Sequence, residues 1–139
     1  MAYRYFLIPL LFAAGYFAPT WFKFEPKMEF AAAPQGLTLV DCPVNDGRCQ
    51  VDGYHVTIKS GQFSPLERTE FELTYEDEAP RADVLVSSDD QQFGTLIGQP
   101  TLDTSHSYSV LIPYCTNSAM QIIIIDPSRS VGLRLSSLL

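Results

Sequence analysis

Cysteine is the residue type here with the most chemistry to offer, and the chain has three: Cys42, Cys49 and Cys115. Cys42 and Cys49 flank Pro43-Val44-Asn45-Asp46-Gly47-Arg48, in which Asn45-Asp46-Gly47 is a strong turn signal. A tight reversal there sets the two cysteines opposite each other, where a disulfide can close. Such a bridge belongs to an oxidising compartment. Two free structural thiols and a metal site are the alternatives. The metal reading is the weaker, because the spacing is not that of a zinc knuckle and no second pair follows.

Cys115 is left over. As a buried thiol it would do no chemistry; as a soft ligand it would need partners. Met120 lies five residues on, across Thr116-Asn117-Ser118-Ala119, which reads as another turn. A thiolate and a thioether facing each other suit Cu(I). His106 or His55 would have to complete that site, and nothing in the spacing brings either one there.

Other chemistry finds little footing. There is no G-x-S-x-G elbow, P-loop, G-x-G-x-x-G or H-E-x-x-H. The expectation is therefore a protein that is not an enzyme and has no obligatory cofactor. With 9 Lys and Arg against 16 Asp and Glu, the net charge is −7, which argues against nucleic acid as a partner. Much of the negative charge falls between Glu67 and Asp90, where Glu76-Asp77-Glu78 reads as a hairpin tip. That stretch is a solvated edge first, and an acidic face for a basic partner second.

These residues must be positioned by strands. Period-two apolar runs occur at 37–42, 49–60, 69–75, 83–88, 106–114, 120–126 and 131–137. Residues 120–126 (MQIIIID) form an unbroken β-branched run, as expected of a central strand covered on both sides. Seven strands at this spacing, with no convincing helix, predict an all-β domain over 37–139, a seven-stranded antiparallel immunoglobulin-like sandwich. A small barrel is the alternative. Residues 89–104 (DDQQFGTLIGQPTLDT) are the longest stretch without a clear strand, and Gln91, Gln92, Phe93 and Gly94 within it are candidate binding residues.

The start of the chain differs from the rest. From Tyr5 to Phe22 there are 18 residues without a charge, the lower limit for crossing a bilayer core. Aromatic residues, among them Tyr3, Tyr5, Trp21 and Phe22, gather toward its ends. Residues 1–22 therefore read as a transmembrane signal anchor, contacting the lipid bilayer through residues 5–22, with a cleaved signal peptide as the alternative. Residues 23–36 (KFEPKMEFAAAPQG) read as a linker. Beyond residue 22 lie eight of the Lys and Arg and all 16 Asp and Glu, a net of −8.

A pattern then joins these pieces: Asp41-Cys42-Pro43, Gly47-Arg48-Cys49, Pro65-Leu66, Val84-Leu85-Val86, Phe93-Gly94, Ile112-Pro113-Tyr114-Cys115 and Met120, behind an N-terminal anchor. It resembles membrane-anchored periplasmic proteins of proteobacteria similar to the FixH/YtkA-like domain group. The resemblance implies an immunoglobulin-type fold in the periplasm, held to the bacterial inner membrane by a single pass. It also implies a link to respiratory-complex assembly or copper handling. Many members carry Met-x-Met-Gly in the loop after the valine-rich strand, where this chain has Gln91-Gln92-Phe93-Gly94. Amides there replace thioethers, which are the better Cu(I) ligands. The expected function is a membrane-tethered binding or accessory subunit with a membrane-protein partner. Copper handling through Cys115, Met120 and His106 is one alternative, and a cleaved soluble periplasmic protein is another.

Overall fold

Alternation does place the core. In the computed structural model, which describes residues 35–91, 93–114 and 120–136, Thr69, Phe71 and Leu73 are 0% exposed along one side of a single strand, with Glu70 and Glu72 on the other. The strands are β1 (Thr38–Pro43), β2 (Arg48–Val51), β3 (Tyr54–Ser60), β4 (Arg68–Tyr75), β5 (Leu85–Ser88), β6 (Thr95–Ile97), β7 (Gln99–Pro100), β8 (Ser107–Leu111), β9 (Ile122–Asp126) and β10 (Val131–Ser136). They form two five-stranded sheets, one in the order β1-β10-β9-β5-β6 and the other β2-β3-β4-β8-β7. The expected all-β architecture holds among the described residues.

Two details depart from expectation. Ten strands are present where seven were expected. Residues 49–60 divide into β2 and β3 at Asp52-Gly53, both at positive φ, and residues 95–100 supply β6 and β7. The sheets are also not wholly antiparallel, since β1 and β10 pair in parallel, from Thr38↔Val131 to Pro43↔Ser136. The first and last strands can pair this way because the rest of the domain serves as their long connection.

One side chain set from each sheet fills the space between them. Val56, Phe71, Leu73, Tyr108 and Val110 come from one, and Val86, Leu96, Ile122, Ile124, Leu133 and Leu135 from the other, in one cluster. Phe63, Phe71 and Tyr108 stack in sequence, with centroids 5.6 and 5.9 Å apart. Aromatic contacts of this kind add to the area they bury.

Both flanks of the two layers are tied. On one, residues 95–100 pass from the first sheet to the second at Gly98, whose N–H donates to the Val84 carbonyl at 2.8 Å. A Cβ at Gly98 would lie 3.3 Å from that oxygen. On the other flank, Cys42 of β1 and Cys49 of β2 form a disulfide with a Cα–Cα distance of 5.7 Å. The expected bridge is present, and it joins strands of different sheets. Between them, Asn45 and Arg48 exchange backbone hydrogen bonds at 2.8 and 3.0 Å around Asp46 and Gly47, both at positive φ. That is the hairpin turn that Asn-Asp-Gly favours.

Candidate functional site

The candidate loop is a short, well-anchored turn between β5 and β6. Gln91 N–H donates to the Ser88 carbonyl and Gly94 N–H to the Gln91 carbonyl, each at 3.1 Å. Gln91 and Gly94 both take positive φ, which the doubled reversal requires. Ser88, 1% exposed, donates its hydroxyl to Asp90 Oδ1 at 2.6 Å, and Ser87 donates to the Gly94 carbonyl at 2.8 Å. The loop is locked to the next sheet segment through Asp89. Its N–H donates to the Gln121 carbonyl at 3.0 Å, and its Oδ1 accepts from Gln121 N–H at 2.9 Å.

The structure thus brings two of the sequence-derived pieces together: the turn holding Gln91 and Gly94, and Met120-Gln121 entering β9. Gln91 and Gln121 are exposed, and Met120 is half-buried against the core. Phe93 is 6% exposed and belongs to the core, so its ring serves packing. Gln92 and Cys115 lie outside the described residues.

His106 is not brought to this place. Its carbonyl accepts from Leu73 N–H at 3.0 Å where β8 begins, toward the end at which Tyr54 meets Asp126. Met120 precedes β9, whose far end is Asp126. At about 3.3 Å per residue, β9 alone puts more than ten ångströms between those ends. His55 is in β3, directly paired with Thr74 and one residue from Tyr54, again toward the other end. Among the described residues no group of three His, Cys, Asp or Glu is arranged to hold a metal ion.

Two residues that were not among the sequence-derived site candidates lie at this end of the domain. Leu66 is 69% exposed and Tyr114 is 73% exposed. Leu66 N–H donates to the Ile112 carbonyl at 2.8 Å, which sets it beside the segment carrying Tyr114 out of β8. Leu66 also takes φ +62°, an uncommon region for a residue with a Cβ. In the sequence Pro65-Leu66 figures only as one piece of the family-like pattern, and nothing in a single sequence marks an exposed leucine at positive φ. The end therefore presents two large apolar side chains together with the amides of Gln91 and Gln121. Such a surface can bind by apolar contact and by hydrogen bonding.

The most connected polar group is elsewhere. Asp126 is 1% exposed at the end of β9. Its Oδ2 accepts from Tyr54 Oη at 3.0 Å and from Arg129 Nη1 at 3.1 Å. Its Oδ1 accepts from the N–H and the hydroxyl of Ser128. The Arg129 guanidinium carbon lies 4.1 Å from the Tyr75 ring centroid, and Tyr75 meets Tyr54 at 4.8 Å. Burial, followed by the negative charge of Asp126, holds the Tyr54 hydroxyl well above its ordinary pKa. Burial first, and the carboxylates of Asp126 and Asp83 after it, raise Tyr108 as well. The signal for this network was Asp126-Pro127-Ser128-Arg129 after the isoleucine run, an Asp whose side chain bonds the backbone two residues on.

The uncharged run 5–22 lies outside the described residues; among the described residues, no helix is long and apolar enough to cross a membrane. Comparison of the chain with family models, with curated proteins and with solved structures yields no match.

Proposed function

We propose that this chain is a membrane-tethered domain of the bacterial periplasm that works by binding, as an accessory subunit of a membrane-protein complex. In this reading residues 1–22 anchor it, residues 23–36 link it, and the two packed sheets form an immunoglobulin-like sandwich. The Cys42–Cys49 bridge supports an oxidising compartment. The resemblance to periplasmic proteins of the FixH/YtkA-like group points to a respiratory complex or its assembly.

The observation that carries the binding role is the exposure of Leu66 and Tyr114 at the same end of the domain as the β5–β6 turn. Large apolar side chains held out on a fixed backbone contribute to neither the core nor the ladders, and they are what a partner surface would take up. The test is the native size of the full chain in mild detergent. The unmodified chain is expected to migrate in an assembly with a second membrane protein. Leu66→Ser together with Tyr114→Ser should release it as a monomer while its unfolding midpoint stays unchanged. A free monomer from the unmodified chain at native expression would overturn the proposal.

A further inference from the structure

β8 reads Ser107-Tyr108-Ser109-Val110-Leu111. Tyr108 and Val110 enter the core, so Ser107 and Ser109 lie on the outer face of the sheet β2-β3-β4-β8-β7. The register sets longer polar side chains on both sides of them. Ser109 pairs with Glu70 of β4 and with Gln99 of β7. Ser107 pairs with Glu72, and its carbonyl accepts from Thr101 N–H at 2.9 Å. Short side chains between longer ones leave a groove. Its floor is the two serines, 8% and 7% exposed, and its walls stand on strands about 10 Å apart, two strand spacings.

Hydrogen bonding fills only one end of this groove. Ser107 Oγ lies 2.6 Å from Thr104 Oγ1 and donates to Glu72 Oε1 at 3.3 Å. Glu72 Oε2 is 3.1 Å from Lys59 Nζ. In the neighbouring row, the carboxylate of Glu70, the hydroxyl of Ser109 and the amide of Gln99 have no hydrogen-bond partner among the described residues. Thr101 Oγ1, beside Ser107, is buried and has none either. A polar side chain as buried as Ser109 is ordinarily hydrogen-bonded, because leaving it unpaired costs free energy.

We infer that this groove binds a neutral saccharide, with Glu70, Ser109 and Gln99 as its hydrogen-bonding row. A carboxylate accepts only, whereas a hydroxyl and a primary amide both donate and accept. That mixed set on three adjacent strands suits neighbouring ring hydroxyls, each of which donates and accepts. Charge argues against an anionic ligand. The rows carry Glu70 and Glu72, and the ammonium beside them, Lys59, is engaged by Glu72. The two rows hold no apolar side chain, so a protein surface gripped by apolar contact finds no anchor there.

The test is amide NMR of the isotope-labelled full chain, held in phosphocholine micelles so that the detergent brings no sugar. The probes are cellotetraose and chitotetraose, both neutral, and tetragalacturonate, which is anionic. At least one neutral probe is expected to shift the amides of Glu70, Gln99 and Ser109 in a saturable way, and the anionic probe to leave them in place. No shift with either neutral probe at about 10 mM would overturn the inference, and so would equal shifts with the anionic one. Ser109→Val replaces the hydroxyl with a methyl and fills the floor, and should weaken binding at least tenfold. Glu70→Ala, at a partly exposed position, should do the same if the valine disturbs the strand. Thr57→Val, on the same face but beyond Glu72, should bind as the unmodified chain does. Unchanged affinity in both the Ser109 and Glu70 variants would overturn the assignment of the row.

Discussion

Tyr54 donates its hydroxyl to Asp126 at 3.0 Å, joining the two sheets through residues 72 apart in sequence. The carboxylate has four donors around it, so its burial is compensated. Removing it leaves the Tyr54 hydroxyl unpartnered and Arg129 without its ion pair. Breaking a buried pair costs about 3–5 kcal/mol, and Arg129, at 27% side-chain exposure, places this case at the lower end. Tyr54→Phe removes one donor and should cost about 1–2 kcal/mol. Urea unfolding of Asp126→Ala and Tyr54→Phe is expected to show that order. A loss under about 1 kcal/mol for the aspartate variant would refute the assignment.

The same pair sets an alkaline limit. The Tyr54 pKa is raised from 10.0 in the folded chain, through burial first and Asp126 second. Between the unfolded and folded values the unfolded chain has released a proton that the folded chain retains, so stability falls as pH rises. The contribution is complete below the ordinary tyrosine value and is lost progressively above it. Unfolding free energy should therefore decline as pH passes about 10, and Tyr54→Phe should decline less steeply. Tyr108, raised mainly by its own burial, contributes in the same direction and leaves a residual slope in that variant.

Much of this fold was legible because alternation and turn chemistry are local. Val56, Phe71 and Leu73 face inward as period two requires, and Glu76-Asp77 forms the hairpin tip, with Tyr75 and Glu78 exchanging backbone hydrogen bonds. The isoleucine run is indeed a central strand, between β10 and β5. What stayed hidden is non-local or very short. Thr95-Leu96-Ile97 is too brief to show a period, and Pro100 argues against a strand except at an edge, which is where β7 lies. The parallel pairing of β1 with β10 leaves no mark on either strand, since alternation is the same in both directions. Of the candidate site, the turn around Gln91 could be read from the break in alternation after residue 88, but not its shortness, since β6 and β7 fall within the expected loop 89–104. The exposure of Leu66 and the separation of His106 from Met120 could not, because both depend on which strand ends the topology places together.

Two glycines separate backbone strain from crowding. Gly36 and Gly61 have nearly the same φ, +76° and +79°. A Cβ on Gly36 would meet nothing within 4 Å, whereas one on Gly61 would lie 2.7 Å from both the Arg68 carbonyl and Thr69 Oγ1. That oxygen accepts from Phe63 N–H at 2.9 Å and belongs to a side chain that is 0% exposed, so it has no room to yield. Gly36→Ala should cost about 1 kcal/mol, the left-handed penalty alone. Gly61→Ala should cost more than about 2 kcal/mol. Equal losses in thermal unfolding would show that the loop at 61 relaxes freely.

The Cys42–Cys49 bridge closes a short loop at a sequence separation of 7. Loop-closure entropy for that length corresponds to about 2.5 kcal/mol. Replacing both cysteines with serine should lower stability by that order. The loss should show first in β1, an edge strand whose neighbour in the ladder is β10, as faster amide exchange there than in β4. The thiol count tests the bridge directly. The chain has three cysteines, so denatured, unreduced protein from its native compartment should take up alkylating reagent at Cys115 alone, and reduced protein at all three. Three reactive thiols before reduction would remove both the bridge and the case for an oxidising compartment, because two cysteines held this close do not stay reduced there.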